Sequence, residues 1–337
     1  MPASYRDTDY MYSSARLRAL ETKMLGREGC ERLLMAGSAD EMIEQLAEFG
    51  YRPSKKQESA GRVDRDATLL SALSDAFADV AEMLPQPHIV RVFQYKYDCN
   101  NIKAALKARA RGIDPRGMIL PLGTLDPGVV TQAVEAGDFS ALPEHMAKAA
   151  GEAADAYLKT KNPQKIDIIL DRACFADMLD AAKASGVPFV IRYVKVKIDL
   201  TNILMCIRLW RMNAGDTGRA LFEDSIIDGG ELEREFLLGL YDRGESRLAE
   251  ALAATAYSSF AAAIPAGAPI SHIEREADRF IMNMVREVRW LPFGAEIAAA
   301  YLIAHEYGPM NVRIIMAGKE AGLAESAIRE RMREMYV

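Results

Sequence analysis

The 337-residue sequence contains no GxxxxGK[ST] segment and no GxGxxG, so no loop able to cradle a nucleotide phosphate is visible. Gly318-Lys319 lacks both the leading glycine and the following hydroxyl residue. His305-Glu306 is not the start of HExxH, because Pro309 stands where the second histidine belongs. There is no GxSxG turn for a nucleophilic serine. The four histidines, His88, His145, His272 and His305, lie far apart, and none has a second ligand at metal-binding spacing. Cysteine is scarce: Cys30, Cys99, Cys174 and Cys206 form no CxxC and read as reduced, buried thiols.

A basic surplus is also missing. With 42 Lys and Arg against 48 Asp and Glu, the net charge is −6, which argues against a phosphate backbone as the main partner. No long apolar run occurs. The longest uncharged stretch, Ala251–Ile270, is mostly small residues and is interrupted by Pro265 and Pro269, too weakly apolar to span a bilayer. The opening MPASYRDTDYMY is charged and has no apolar centre, so no secretory signal is expected. The expectation is a soluble chain with no transmembrane span, no nucleic-acid partner and no cofactor. No residue is assigned as catalytic, cofactor-binding or metal-ligating.

What is abundant are strong helix formers, Ala, Leu, Met, Glu, Arg and Lys, in a chain that is 50% hydrophobic. Apolar residues recur at spacings of three and four, as in Leu17, Leu20, Met24 and Leu25, and sustained alternation is absent. The fold class expected is all-α. Ser38 with Glu41, and Ser271 with Glu274, have the spacing of capping boxes. Arg52 to Asp66 reads as an exposed connection, followed by a helix from about Ala67 to Leu84. Asp126-Pro127 is an N-cap followed by a proline at the first helical position. Pro163 to Ala184 carries an apolar face, and the β-branched run Phe189–Val196 flows into a helix and is expected to be part of it.

An internal repeat organises the chain. Asp98-Cys99-Asn100-Asn101-Ile102 and Asp199-Leu200-Thr201-Asn202-Ile203 both place Asp three residues before an Asn-Ile pair. A basic residue, Lys107 or Arg208, follows six after the Asn. A looser copy is Glu306–Arg313, with Asn311 followed by Val312, and a fourth is Tyr10–Leu17, with Ser14 in the Asn position. Asparagine is a poor helix former, so its recurrence in one pattern points to a shared structural role, that of a buried amide bonding a neighbour's backbone. The spacing suggests three similar helical units of about 100 residues, with approximate boundaries 1–115, 116–220 and 221–337.

These segments carry a family resemblance. Tyr97–Lys107 resembles the YDxxNIK helix of the C subunit of V/A-type rotary ATPases, whose eukaryotic counterpart is the d subunit. Asp199–Arg208 resembles that family's DLTNI helix, with Leu204 where a basic residue is common. Ala304–Lys319 resembles its EExNLRxILxGK segment, with Gly308-Pro309 as a departure, and Tyr12–Arg18 resembles its opening helix, with Ser14 for Asn. The resemblance runs from about Asp9 to Val337. It implies three similar helical domains about a pseudo-threefold axis, forming a funnel. It further implies a non-catalytic central-stalk component that joins the rotor shaft of the soluble ATPase head to the membrane proteolipid ring. Such a protein would be peripheral on the cytoplasmic membrane face and would couple ion transport to ATP hydrolysis or synthesis.

Two other readings stay open on the residues alone: a helical enzyme with an unrecognised small-molecule pocket, and an unrelated helical scaffold. Trp210 and Trp290 read as packing residues, and the paired acids as caps, salt bridges or solvated faces. Because no phosphate loop is visible and the chain is acidic, the isolated protein is expected to show no ATPase activity. Calorimetry on clean protein checks this, and saturable ATP binding at micromolar concentration would overturn it.

Overall fold

The computed structural model describes residues 5–52, 64–212 and 215–337. It is 73% helical, and the described residues form no strand, as the spacing pattern requires. The helices are α1 (Met11–Glu21), α2 (Arg27–Met35), α3 (Ala39–Glu48), α4 (Arg65–Met83), α5 (Ile89–Arg111), α6 (Pro127–Ala136), α7 (Glu144–Thr160) and α8 (Pro163–Ser185). They continue with α9 (Pro188–Arg211), α10 (Gly215–Ser225), α11 (Arg234–Arg243), α12 (Leu248–Leu252), α13 (Ser258–Ala262), α14 (Ile270–Glu287), α15 (Ala295–Glu320) and α16 (Glu325–Arg329).

Local chemistry sets many of these ends. Ser38 Oγ accepts from Glu41 N–H at the start of α3, as the spacing predicts, while Glu41 Oε2 reaches back to Gly37 N–H (2.7 Å). Asp64 caps α4 and Asp126 caps α6, whose first residue is Pro127. Gly137 and Gly186 close α6 and α8 in the left-handed conformation that costs glycine nothing. The run from Phe189 to Val196 is helical, inside α9.

Two expected features differ. Ser271 is not an N-cap: α14 begins one residue earlier, after Pro269, whose fixed φ suits entry to a helix but which offers no capping oxygen. The alanine-rich stretch Ala249–Ala263, whose composition predicts one helix, is two short helices instead. After α12 the Thr255 hydroxyl bonds the Leu252 carbonyl (2.8 Å) and accepts from Tyr257 N–H (3.1 Å), a local turn that competes with continued helix. Of the connection expected at Arg52–Asp66, residues 53–63 lie outside the described residues.

The chain divides into two compact units, one made of 1–90 and 267–337, the other of 91–266. In the first, α15 is the axis, in contact with α1, α2, α4, α14 and α16. Residues around its circumference are buried, from Ile297 and Leu302 to Val312 and Ile315, which is the mark of a helix enclosed on all sides. In the second, the long helices α5, α8 and α9 supply the core. Phe93 lies against Tyr193 with ring centres 5.6 Å apart, and Cys99 Sγ donates to the Leu170 carbonyl across α5 and α8. All four cysteines are buried and free, as expected of structural thiols.

His305 on α15 lies against Tyr301, the rings tilted by 59° with centres 4.4 Å apart. The residue is half-buried, and Nε2 is buried without a hydrogen-bond partner. Burial therefore lowers its pKa to about 4. The unfolded imidazole takes a proton near pH 6.5, while the folded one resists protonation until about 4. Folding stability is thus complete above 6.5 and falls as the pH drops toward 4, by up to about 3 kcal/mol over the window. Urea unfolding at pH 7, 6 and 5 should show a steeper loss in the wild type than in His305→Gln.

Candidate functional site

The repeated asparagines lie on α5, α9 and α15, and each is almost wholly buried. Asn101 Nδ2–H donates to the Leu120 carbonyl, and Asn101 Oδ1 accepts from the Leu120 N–H, both at 2.8 Å. Asn202 makes the same pair with Ile227, at 2.8 and 2.9 Å. Asn311 makes it with Arg333, at 2.9 and 2.7 Å. In each of these three copies one helical amide satisfies both backbone groups of a single residue in a following non-helical segment. The orientation of the amide is unambiguous, because the clamped residue offers one donor and one acceptor. Such an interior site must pair those groups somehow, and no water is needed if the amide does it.

The aspartates add a second hold. Asp98, fully buried, accepts from Thr124 N–H (2.9 Å), the Thr124 hydroxyl (2.7 Å) and Leu125 N–H (3.2 Å). Asp199, also fully buried, accepts from Glu231 N–H (2.8 Å), Leu232 N–H (3.2 Å) and the Tyr257 hydroxyl (2.6 Å). The two copies share a register: Asn holds one loop residue, and Asp holds the residues four and five positions later. Between them stands glycine, Gly123 or Gly230, where a Cβ would collide with the carboxylate. The next helix begins directly after, at Pro127 or Arg234. Burial raises the pKa of both aspartates against the opposing pull of these bonds, and Tyr257 is pushed up by burial and by Asp199.

The third copy lacks the aspartate. Gly308 occupies its place, and the buried Tyr51 hydroxyl lies where a side chain at 308 would project. The fourth copy is reduced further. Ser14 Oγ accepts a single bond from Gly294 N–H (3.2 Å), at the N-cap of α15. Arg18, one turn on, completes the hold through the carbonyls of Val288 (2.7 Å) and Leu291 (3.1 Å). Three basic residues flanking the motif are ion-paired: Lys103 with Asp171, Lys107 with Asp167 and Arg313 with Asp66.

The clamped partners were not visible from the helices alone. A signal for them exists in the paired segments Gly123-Thr124-Leu125-Asp126 and Gly230-Glu231-Leu232-Glu233, which share Gly-x-Leu-acid ahead of a helix. Trp210 packs as expected, donating to the Tyr241 carbonyl (2.9 Å). Trp290 does not pack; it is 89% exposed. Among the described residues no group of three His, Cys, Asp or Glu is placed to hold a metal ion. A cavity of about 670 Å³ in the second unit is walled by Leu106, Phe139, Tyr157, Leu158 and Ile166, with Arg109, Asp155 and Lys161 also lining it. No helix among the described residues is long and apolar enough to cross a membrane.

The buried asparagines and aspartates of the repeated motif thus hold loops of the chain itself, in an all-helical protein. The sequence pattern of the ATP synthase (C/AC39) subunit matches residues 13–331, and the chain belongs to that family. The C subunit of the V-type sodium ATPase of Enterococcus hirae is 24% identical to it over 326 residues, covering 95% of this chain and 97% of that protein. The C subunit of the A-type ATP synthase of Thermococcus kodakarensis is 24% identical over 97% of this chain and 91% of its own length. The C subunit of the V-type ATP synthase of Thermus thermophilus is 22% identical, over 96% and 98%.

Asn202→Ala strands the Ile227 N–H and carbonyl in the interior, at about 1–3 kcal/mol for each group. Thermal unfolding of the variant should therefore begin several degrees below the wild type. An unchanged melting temperature would mean that water or a shifted loop replaces the amide.

Proposed function

We propose that this chain is the non-catalytic central-stalk subunit of a V/A-type rotary ATPase, joining the rotor shaft of the soluble head to the membrane proteolipid ring. The observation that carries the reading is the match to the family over residues 13–331, with relatives aligned over nearly their whole lengths. The clamps support it physically. A coupling that transmits torque loses work wherever it is compliant, and an unheld loop is the softest part of a helical protein. Here loops between helices are pinned to helix interiors, and close-packed cores resist deformation. The spacing of the sequence motif is the ground for reading the chain as three units of about 100 residues, near 1–115, 116–220 and 221–337. The protein would act from the cytoplasmic face of the membrane as a peripheral member of the complex.

Membrane vesicles from cells lacking this chain test the proposal. ATP hydrolysis by the head should persist while ATP-driven ion uptake is lost, and adding back the purified chain should restore uptake. Vesicles that pump at the wild-type rate without it would overturn the reading.

A further inference from the structure

None of the clamp residues lines the cavity of about 670 Å³ in the second unit. Its wall comes from four pieces of chain: the end of α5, the link after α6, one face of α7 and the first turn of α8. On α7 the lining residues Gly151, Ala154, Asp155 and Leu158 are spaced by helical steps of three and four, so they form one row along the helix. Small side chains in that row leave the recess open. A Cβ added at Gly151 would stop 3.8 Å from the Phe139 ring, an ordinary contact.

The dimensions limit what can enter. From Gly151 to Lys161 the row runs about 15 Å, at about 1.5 Å per residue. Spread over that length, the 670 Å³ cavity has a cross-section of about 45 Å², whereas a helix about 10 Å across needs about 80 Å². A partner helix is too thick for the recess, and a single extended alkyl chain is not. The volume also lies within the range of about 300–1,000 Å³ typical of a site for one small ligand.

The polar groups of the wall select the other end of that ligand. Arg109 and Lys161 both line the cavity, and neither forms an ion pair among the described residues. By contrast Lys103 and Lys107, earlier on α5, and Lys165, on α8, are paired with Asp171, Asp167 and Asp224. Arg109 Nη1 donates to the Val134 carbonyl, which steadies the guanidinium without neutralising it. The Lys161 ammonium lies over the ring of Tyr157, another lining residue, 5.8 Å from its centre. Asp155 is the one carboxylate in the lining, so the wall carries a surplus of one positive charge. Lys161 is also strained: at φ 54° it is the one non-glycine residue at positive φ among the described residues. The ends of α6 and α8 use glycine for the same purpose. A lysine kept where glycine would be free of strain points to a use for its side chain.

We propose that this recess binds a fatty carboxylate, its alkyl chain laid along the α7 row and its negative charge met by Arg109 and Lys161. One negative headgroup balances the surplus charge of the wall. The occupant is a free fatty acid rather than a phospholipid, because the cross-section admits one chain and not two.

Decanoate titrated into the full-length chain by calorimetry should bind at one saturable site, and decyltrimethylammonium, of equal chain length and opposite charge, should not. Lys161→Gly should weaken decanoate by about tenfold, roughly the worth of one hydrogen bond to a charged group, while raising the melting temperature. Arg109→Gln should weaken decanoate as well, and both variants should leave the weaker binding of neutral decanol unchanged. Gly151→Leu fills the recess and improves a helical position, so it should abolish decanoate binding without lowering the melting temperature. Decanoate heats that do not saturate, equal wild-type affinity for decanol and decanoate, or full affinity in Gly151→Leu would overturn the site. Binding to phosphatidylglycerol vesicles that Gly151→Leu removes would overturn it too, by assigning the recess to a bilayer lipid. None of these outcomes bears on the stalk reading, which rests on the family match.

Discussion

A buried peptide group has to be paired, and in this protein that requirement is met repeatedly by a side-chain amide on a long helix. An asparagine is chemically a copy of the backbone group it meets: one N–H face to a carbonyl, one oxygen to an N–H. That lets a helix accept a loop into its flank without leaving a donor or acceptor unpaired. The surrounding architecture follows from it. The helices that carry Asn101, Asn202 and Asn311 must be enclosed on many sides, since an amide exposed to water would gain little from the bond. Indeed α5, α9 and α15 are among the most deeply packed helices of the chain.

The aspartates show what the amide cannot do alone. A carboxylate is acceptor-only, so it suits a place where two successive N–H groups point inward ahead of a helix, with glycine beneath to admit the carboxylate. Desolvation opposes the charge, and the converging donors offset part of that cost. In the third copy the carboxylate is absent: Gly308 stands in its place, and the Tyr51 hydroxyl occupies the space a side chain there would need. The fourth copy divides the work between Ser14 and Arg18. One recurring position has therefore been filled in three ways across the four copies: Asn with Asp, Asn with Gly, and Ser with Arg.

Much of this was legible beforehand. The all-helical class follows from residue spacing, and the burial of the three asparagines from their placement in a poor context for that residue. The partners were not legible, because a loop residue contributes only its backbone to the clamp, and Leu120, Ile227 and Arg333 have nothing in common as side chains. Trp290 was misread for a related reason. A tryptophan in a short segment after an amphipathic helix looks like core, and only the path of the turn along α1 shows that it faces outward. The break between α12 and α13 was hidden by composition: alanine favours helix, and the single Thr255 hydroxyl that ends it carries little weight in a count of helix formers.

The separation between clamp and clamped residue is 19, 25 and 22 positions in the three copies. The number of residues between the two ends thus differs from copy to copy while the amide still finds one peptide group. Such an arrangement tolerates insertions and deletions over evolutionary time without disturbing the helices that carry the fold, so related chains can drift far apart in sequence and still keep one shape.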